Sequence, residues 1–303
     1  MTEPSSKIMK WIIIFRAWSF TATAVPVILG TVWAWSKGYF NFWLFLLTLL
    51  GGVAIHAGTN LTNTYYDFIN GVDTIESEVK SNPALVAGWM KPKSFLYIGL
   101  LSFLVAFLIG VYFFYLRGWP IFIVGLIGIA GGYEYTGGVS YKYKGTATMI
   151  VFILMGPLMV WGPYFIQTGL HDWSAVLISL PIGFLVAGIL HSNDLRDLEH
   201  DKKAGIKTFP VATGNKIGLQ IYYFLYSGAF LSVFLLSLFK VLSIWPSVTI
   251  LLVAPLAIQM MKHAKEGMAG SQERLDMLEM EAAQMDMKFG LLYILGVVLG
   301  ILF

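Results

Sequence analysis

The sequence predicts an all-α, polytopic membrane protein with nine transmembrane helices and a cytoplasmic N-terminus. Three observations carry that expectation. Of the 303 residues, 57% are hydrophobic and only 12% charged, with a mean hydropathy of +0.72; a soluble domain carries roughly 25% charge to clothe its surface. The apolar residues gather into stretches of the length that crosses a bilayer, and in lipid such stretches are helices because the backbone must satisfy its own hydrogen bonds. The charges then divide unequally between the two sides of the membrane.

Taken in order, the expected spans are 11–35, 43–68, 95–115, 119–136, 147–167, 174–194, 218–239, 244–261 and 286–303, together forming a single transmembrane domain over 1–303. The first, Trp11–Trp35, is interrupted by Arg16 and is longer than the core of a signal peptide. The spans near 119–136 and 244–261 are the shortest. Stretch 272–288 mixes charge with Leu and Met, and reads as an amphipathic interfacial helix ahead of the last span. With the N-terminus inside, 17 of the 20 basic residues fall on the cytoplasmic side, leaving Lys37, Arg117 and Lys240 outside, as the positive-inside rule requires. Of the 17 acidic residues only Asp172 falls outside. The chemistry is therefore expected at the cytoplasmic face of a multi-pass protein of the plasma membrane. A net charge of +3 without a basic groove speaks against nucleic acid as a partner, and zero cysteines exclude disulfides, thiolate zinc sites and a cysteine nucleophile.

Two acidic motifs close spans 2 and 6. In the first, Asn60, Asn63 and Asp67 are spaced i, i+3, i+7 and share one helix face, with Asn70, Gly71 and Asp73 following. In the second, Asn193, Asp197 and Asp201 follow i, i+4, i+8, with Asp194 on a flank of the same face. Spans 2 and 6 are four crossings apart, so both motifs emerge on the same side. Facing carboxylates repel unless something positive sits between them, and a hard divalent cation such as Mg²⁺, which takes oxygen ligands, fits. A single such motif also reads as an ordinary polar helix end.

Neighbouring cations on that face, Lys80, Lys91, Lys142, Lys144, Arg196, Lys202 and Lys203, could hold diphosphate oxygens or simply obey the positive-inside rule. Arg196 stands out because it lies inside the motif, although a helix continuing through 195–201 would point it about 100° away from Asp197. Glu134, near the end of span 4, is an intramembrane carboxylate and so a functional candidate, or a helix-end residue paired with Lys142 or Lys144. Tyr133, Tyr135, Tyr141 and Tyr143 around it read as an interfacial belt or as a π-rich lining. His56 and His191 read as core residues.

These motifs resemble the UbiA superfamily of intramembrane prenyltransferases, most closely its menaquinone-biosynthesis branch, which prenylates dihydroxynaphthoate. The resemblance rests on Gly58 through Asp67, Gly71-Val-Asp73, Tyr135-Thr-Gly-Gly138 with Tyr141-Lys-Tyr143, Gly156-Pro157-Leu158, and His191-Ser-Asn193 through Arg196-Asp197, Asp201, Gly205 and Thr208. It implies a nine-helix UbiA-type bundle and Mg²⁺-dependent transfer of a polyprenyl group, for example from geranylgeranyl diphosphate, to an aromatic acceptor. In it, Asn63, Asp67 and Asp73 match the first metal-diphosphate motif and Asn193, Asp197 and Asp201 the second; with Asp194 on the flank of that face, the expected metal ligands are Asn63, Asp67, Asp73, Asp194, Asp197 and Asp201. Diphosphate would be bound by Asn60, Asn63, Lys80, Lys91, Lys142, Lys144, Asn193, Arg196 and Lys202, and catalysis would fall to Asp67, Asp197, Arg196 and Glu134. Thr64 stands where many members have Asp, and Asp194 where bacterial naphthoate enzymes often have Asn. A glycerol-phosphate lipid acceptor therefore stays open, since archaeal relatives share the architecture. From another class, a secondary transporter also places carboxylates in membranes, but here both motifs sit at one edge and the outer face has almost no polar groups.

Overall fold

A computed structural model describes residues 4–74 and 82–303 of the chain. These residues are helical throughout, with no strand among them. Eight helices are long and apolar enough to cross a membrane: α1 (Ala17–Ser36), α2 (Phe42–Ile69), α3 (Pro92–Arg117), α5 (Ala147–Thr168), α6 (Trp173–Arg196), α7 (Asn215–Leu238), α8 (Trp245–Met268) and α9 (Gln272–Leu302). Between them lies the shorter apolar helix α4 (Trp119–Tyr133). Its 15 residues rise ~22 Å, short of a ~30 Å hydrocarbon core.

Local sequence explains most boundaries. Asn41 caps α2 by accepting from the backbone N–H groups of Trp43 and Leu44 at 3.0 and 3.1 Å, the ordinary use of Asn at a helix start. Gly118 ends α3 with φ +76, a conformation that favours glycine. Two boundaries differ from the sequence expectation. The stretch 11–35 is broken rather than continuous: Arg16 takes the left-handed conformation (φ 52, ψ 48), which separates a short helix, Lys7–Phe15, from α1. That short helix exposes Ile8, Met9 and Trp11, as an interfacial helix would. At the other end, 272–288 is no separate interfacial helix. It is the first half of α9, one continuous helix of 31 residues, because no proline interrupts the helical hydrogen bonding before Phe303.

The helices pack in two groups. Helix α2 lies against α3, which packs on α4; α6 packs on α7 and α9, and α8 on α9; α1 contacts α2, α5 and α9 and so bridges the groups. Within lipid the apolar effect between helices is weak, so close approach and dispersion hold them together. A Cβ placed on Gly30 would lie 2.2 Å from the Val160 carbonyl oxygen, and one on Gly156 would lie 2.7 Å from the Gly183 Cα. These contacts bring α1 onto α5, and α5 onto α6, backbone to backbone. Around Pro157, α5 widens into one π-helical turn, Leu154–Leu158. The C-terminal group is filled by Tyr222, Tyr226, Phe289 and Tyr293, all completely buried, and the Tyr293 hydroxyl donates to the Ile178 carbonyl of α6 at 2.9 Å.

Candidate active site

The two acidic motifs meet. Helices α2 and α6 finish at the same end of the bundle, where Asp67, Asp73, Asp194, Asp197 and Asp201 line one pocket of about 260 Å³ together with Asn63 and Asn193. After α2 the chain folds back on itself: the N–H groups of Val72 and Asp73 both donate to the Asp67 carbonyl, at 2.8 and 3.0 Å, with Gly71 at φ +72 making the turn. That return carries Asp73 into the pocket. After α6 the chain kinks at Asp197, and a short helix, Leu198–Lys203, brings Asp201 round to the same space. A bond of 2.7 Å between the His200 ring Nε2 and the Val72 carbonyl ties the two connections to each other.

Each motif's leading carboxylate already has a cation. Lys142, from the turn Tyr141–Lys144, places its Nζ 2.7 Å from Asp67 Oδ2. Tyr143 donates to Asp67 Oδ1 at 2.5 Å, and Asn63 donates to Oδ2 at 2.6 Å. The Lys142 ammonium also stands 5.7 and 5.8 Å from the ring centres of Tyr135 and Tyr143, a cation–π arrangement. Burial works against the lysine's charge, yet the Asp67 carboxylate beside it holds its pKa well above the ordinary lysine range. Arg196 donates through Nε and Nη2 to the two oxygens of Asp197, at 2.8 and 2.7 Å. The expected 100° separation fails because α6 ends at Arg196 and Asp197 leaves the helical path (φ −93, ψ 5). Burial, then the neighbouring Asp197, pushes the Asp201 carboxyl up to about 6 despite Lys142. Among the described residues, no three His, Asp or Glu side chains stand close enough to share an ion as placed; Asp67 and Asp197 face their cations instead.

The acidic pocket opens onto a second cavity of about 840 Å³, walled by residues such as Ile55, Val124, Leu154, Met159 and Leu190. Arg16, Asn63, Tyr135, Asn193, Arg196 and Glu279 line both spaces. A charged, oxygen-rich chamber thus adjoins an apolar one large enough for a lipid-sized ligand.

Comparison with known proteins decides the family. The UbiA prenyltransferase family model matches residues 23–276. The chain belongs to the UbiA prenyltransferase family. It is 36% identical to the 1,4-dihydroxy-2-naphthoate octaprenyltransferase of Bacillus subtilis (strain 168), over 99% of this chain and 96% of that protein. Its fold is similar to that of digeranylgeranylglyceryl phosphate synthase (TM-score 0.63, 18% identity, 97% of this chain and 98% of that one). It is similar also to a UbiA homolog from Archaeoglobus fulgidus bound to GPP and Mg²⁺ (TM-score 0.59, 16% identity, 93% and 99%). The chain is therefore a multi-pass membrane prenyltransferase with the UbiA fold.

Not every residue singled out in the sequence reaches the acidic pocket of this UbiA prenyltransferase. Asn63, Asp67, Asp73, Lys142, Asn193, Asp194, Arg196, Asp197 and Asp201 do. Asn60 lines only the large cavity, its Nδ2 donating to the Phe15 carbonyl and to Ser19 Oγ, both at 3.0 Å, so it tethers the N-terminal segment. The Glu134 carboxylate accepts from the Val139 backbone N–H and shapes its own loop; it lines neither cavity and pairs with neither lysine. Lys91 and Lys144 are exposed outside both cavities, and Lys202 pairs with Glu199 at 2.7 Å. These lysines sit on the solvated side of their turns, where charge is least costly. Lys80 lies outside the described residues. His56 is held by Thr23 and Ser19 at 2.7 and 3.2 Å, and His191 by the Gly218 carbonyl at 2.7 Å.

The sequence reading missed Arg16 and Asn82, which reach the pocket from the N-terminal segment and from beyond α2, and Glu279, which reaches it from α9. Glu279 carried one signal: acidic residues in 273–286 of a stretch followed by an apolar span have to face something polar.

Proposed function

We propose that this UbiA prenyltransferase transfers a polyprenyl group from an allylic diphosphate to an aromatic, naphthoate-type acceptor in a Mg²⁺-dependent reaction, as a step toward menaquinone. In this reading residues 1–303 act as one transmembrane unit, α4 is the ninth crossing in a locally thinned bilayer, and the acidic pocket faces the cytoplasm from the plasma membrane. The observation that carries the reading is the junction of the two cavities. A diphosphate belongs in the first and its hydrocarbon tail in the second, which places the allylic carbon between them. The naphthoate acceptor is supported by the 36% identity to the Bacillus subtilis enzyme along nearly the whole chain.

Asn63, Asp67, Asp73, Asp194, Asp197 and Asp201 would hold the metal. They offer only oxygen donors, as Mg²⁺ prefers, and the buried Oδ1 of Asn193 beside them has no hydrogen-bond partner among the described residues. When bound, the metal would offset the diphosphate charge and draw electrons from the breaking allylic C–O bond. Lys142 and Arg196 would bind the leaving diphosphate. The faces of Tyr135 and Tyr143 would tolerate positive charge nearby, and the apolar cavity would keep water from the allylic carbon. For the proton released when the acceptor attacks, Asp67 is better placed than Glu134, because it lines the acidic pocket and Glu134 does not.

The test is Mg²⁺-dependent release of diphosphate from geranylgeranyl diphosphate by the purified protein in detergent, with dihydroxynaphthoate, 4-hydroxybenzoate or a glycerol-phosphate acceptor in separate reactions. Stimulation by dihydroxynaphthoate is expected. Stimulation only by the glycerol-phosphate acceptor would transfer the chain to the lipid-forming branch, and no release with any of them, from folded protein, would sink the proposal.

Two further outcomes are expected. Because burial and Asp197 push the Asp201 carboxyl up to about 6, and a metal competes with its proton, Mn²⁺ affinity should fall as pH drops through that value, by up to ~10-fold per pH unit for one proton. Asp201→Asn should flatten that slope in a binding titration, and an unchanged slope would remove Asp201 from the ligand set. Gly125 lines the large cavity, and a Cβ there would meet nothing within 4 Å. Gly125→Phe should leave the fold intact while lowering the preference for a 20-carbon over a 10-carbon donor by about tenfold, the scale at which pocket contacts discriminate between apolar substrates.

A further inference from the structure

Among the described residues, Arg196 donates to two carboxylates. Its Nε and Nη2 edge is spent on Asp197, while Nη1 donates to Glu279, which approaches from α9. The arginine side chain is 12% exposed and that of Glu279 37%, so the glutamate reaches inward from the rim. Both residues line the acidic pocket and the large cavity, which places the contact at their junction.

The guanidinium is a rigid planar fork whose Nε/Nη2 edge matches the spacing of two oxygens on a carboxylate or a phosphate. In the structure that edge is occupied by Asp197, one of the carboxylates that would have to turn to a metal. When Asp197 does so, the edge can change partner, and a charged side chain with several rotatable bonds has many places to go. The bond from Nη1 to Glu279 restricts that choice. It lies on the other side of the fork, so it can persist while the Nε/Nη2 edge changes partner, and it keeps the edge at the junction where a diphosphate would sit.

We propose that Glu279 is a positioning residue for Arg196, anchoring one guanidinium nitrogen so that the opposite edge passes from Asp197 to the incoming diphosphate. The proposal rests on the reading of the acidic pocket as a diphosphate site. It gives α9 a part in substrate binding that neither acidic motif contains.

The experiment is calorimetric titration of the purified full-length protein in detergent with inorganic pyrophosphate, in the presence and absence of Mn²⁺, alongside melting curves. Wild-type protein should bind pyrophosphate only with Mn²⁺. Glu279→Ala should weaken that binding about tenfold, the size of one charge-assisted hydrogen bond, and Glu279→Asp should restore part of it. In an Arg196→Met background, measured at higher pyrophosphate concentration, Glu279→Ala should change affinity by less than about twofold, because residues acting through one another are non-additive. An equal loss in both backgrounds, or wild-type affinity in Glu279→Ala, would overturn the positioning role while leaving the diphosphate site standing. A wild-type protein that fails to bind pyrophosphate with Mn²⁺ would remove the diphosphate reading, and the role of Glu279 with it. Helices α6 and α9 are also joined by the Tyr293–Ile178 bond, so the single Glu279 variants are expected to melt within a few degrees of wild type, and the double variant within a few degrees of Arg196→Met.

Discussion

Replacing Asp67 with Asn should lower turnover by at least about a thousandfold, with the helical content close to that of the wild type and a melting temperature lowered by the loss of the Lys142 ion pair. The reason lies in what surrounds this carboxylate. It is 3% exposed and takes hydrogen bonds from Asn63 and Tyr143 as well as the Lys142 ammonium. A neutral amide of the same shape keeps the packing but gives up the charge that a metal–diphosphate pair would need, and losing one strong electrostatic contact at a reacting centre typically costs two to three orders of magnitude. Asp201→Asn should cut turnover similarly, since its buried carboxylate comes from the opposite motif. Steady-state release of diphosphate, read beside a circular-dichroism melt, checks both. Full activity in both variants would sink the two-motif reading of the pocket.

The second large effect is on stability. Lys142→Met should destabilise the bundle by about 3 kcal/mol, because it leaves a buried carboxylate without its cation; the bonds from Tyr143 and Asn63 keep the loss at the low end of that range. The double variant Asp67→Asn/Lys142→Met should regain most of the stability and none of the activity. Added Mg²⁺ should raise the melting temperature of Lys142→Met more than that of the wild type, since the unpaired carboxylates then have more to gain from a cation. A double variant as unstable as Lys142→Met alone would mean that the lysine stabilises the fold through its packing against Tyr135 and Tyr143 rather than through its charge.

Much of this arrangement was legible in the sequence because it depends on local periodicity and parity. The i, i+3, i+7 and i, i+4, i+8 spacings put each acidic stripe on one helix face, and the four crossings expected between them put both stripes at the same end. What the sequence could not convey are partners chosen by packing. Lys142 reaches Asp67 across 75 positions and Glu279 reaches Arg196 across 83, and no periodic signal links them. Arg16 and Asp197 hide a different kind of information. Each breaks a helix that composition alone would continue, and each break turns a charged side chain toward the pocket. For Lys91, Lys144 and Lys202, composition was the wrong guide. A basic residue near a cytoplasmic helix end satisfies the topology rule wherever it points, so residue type could not separate pocket lysines from surface ones.

The contacts between α6 and α9 have a consequence for the membrane in which the protein works. The helices are antiparallel and joined near both ends, by Arg196–Glu279 at the site and by Tyr293–Ile178 at the far side. Rails fixed at two points cannot slide past each other. If the bilayer thickens or thins, the resulting mismatch must tilt or shift α6 and α9 as a pair, so the second acidic motif keeps its register with Glu279. The strain falls instead on the seam between α6 and α2, where the two motifs face one another. Acyl-chain length in reconstituted vesicles should therefore alter the distance between the two motifs before it disturbs either one.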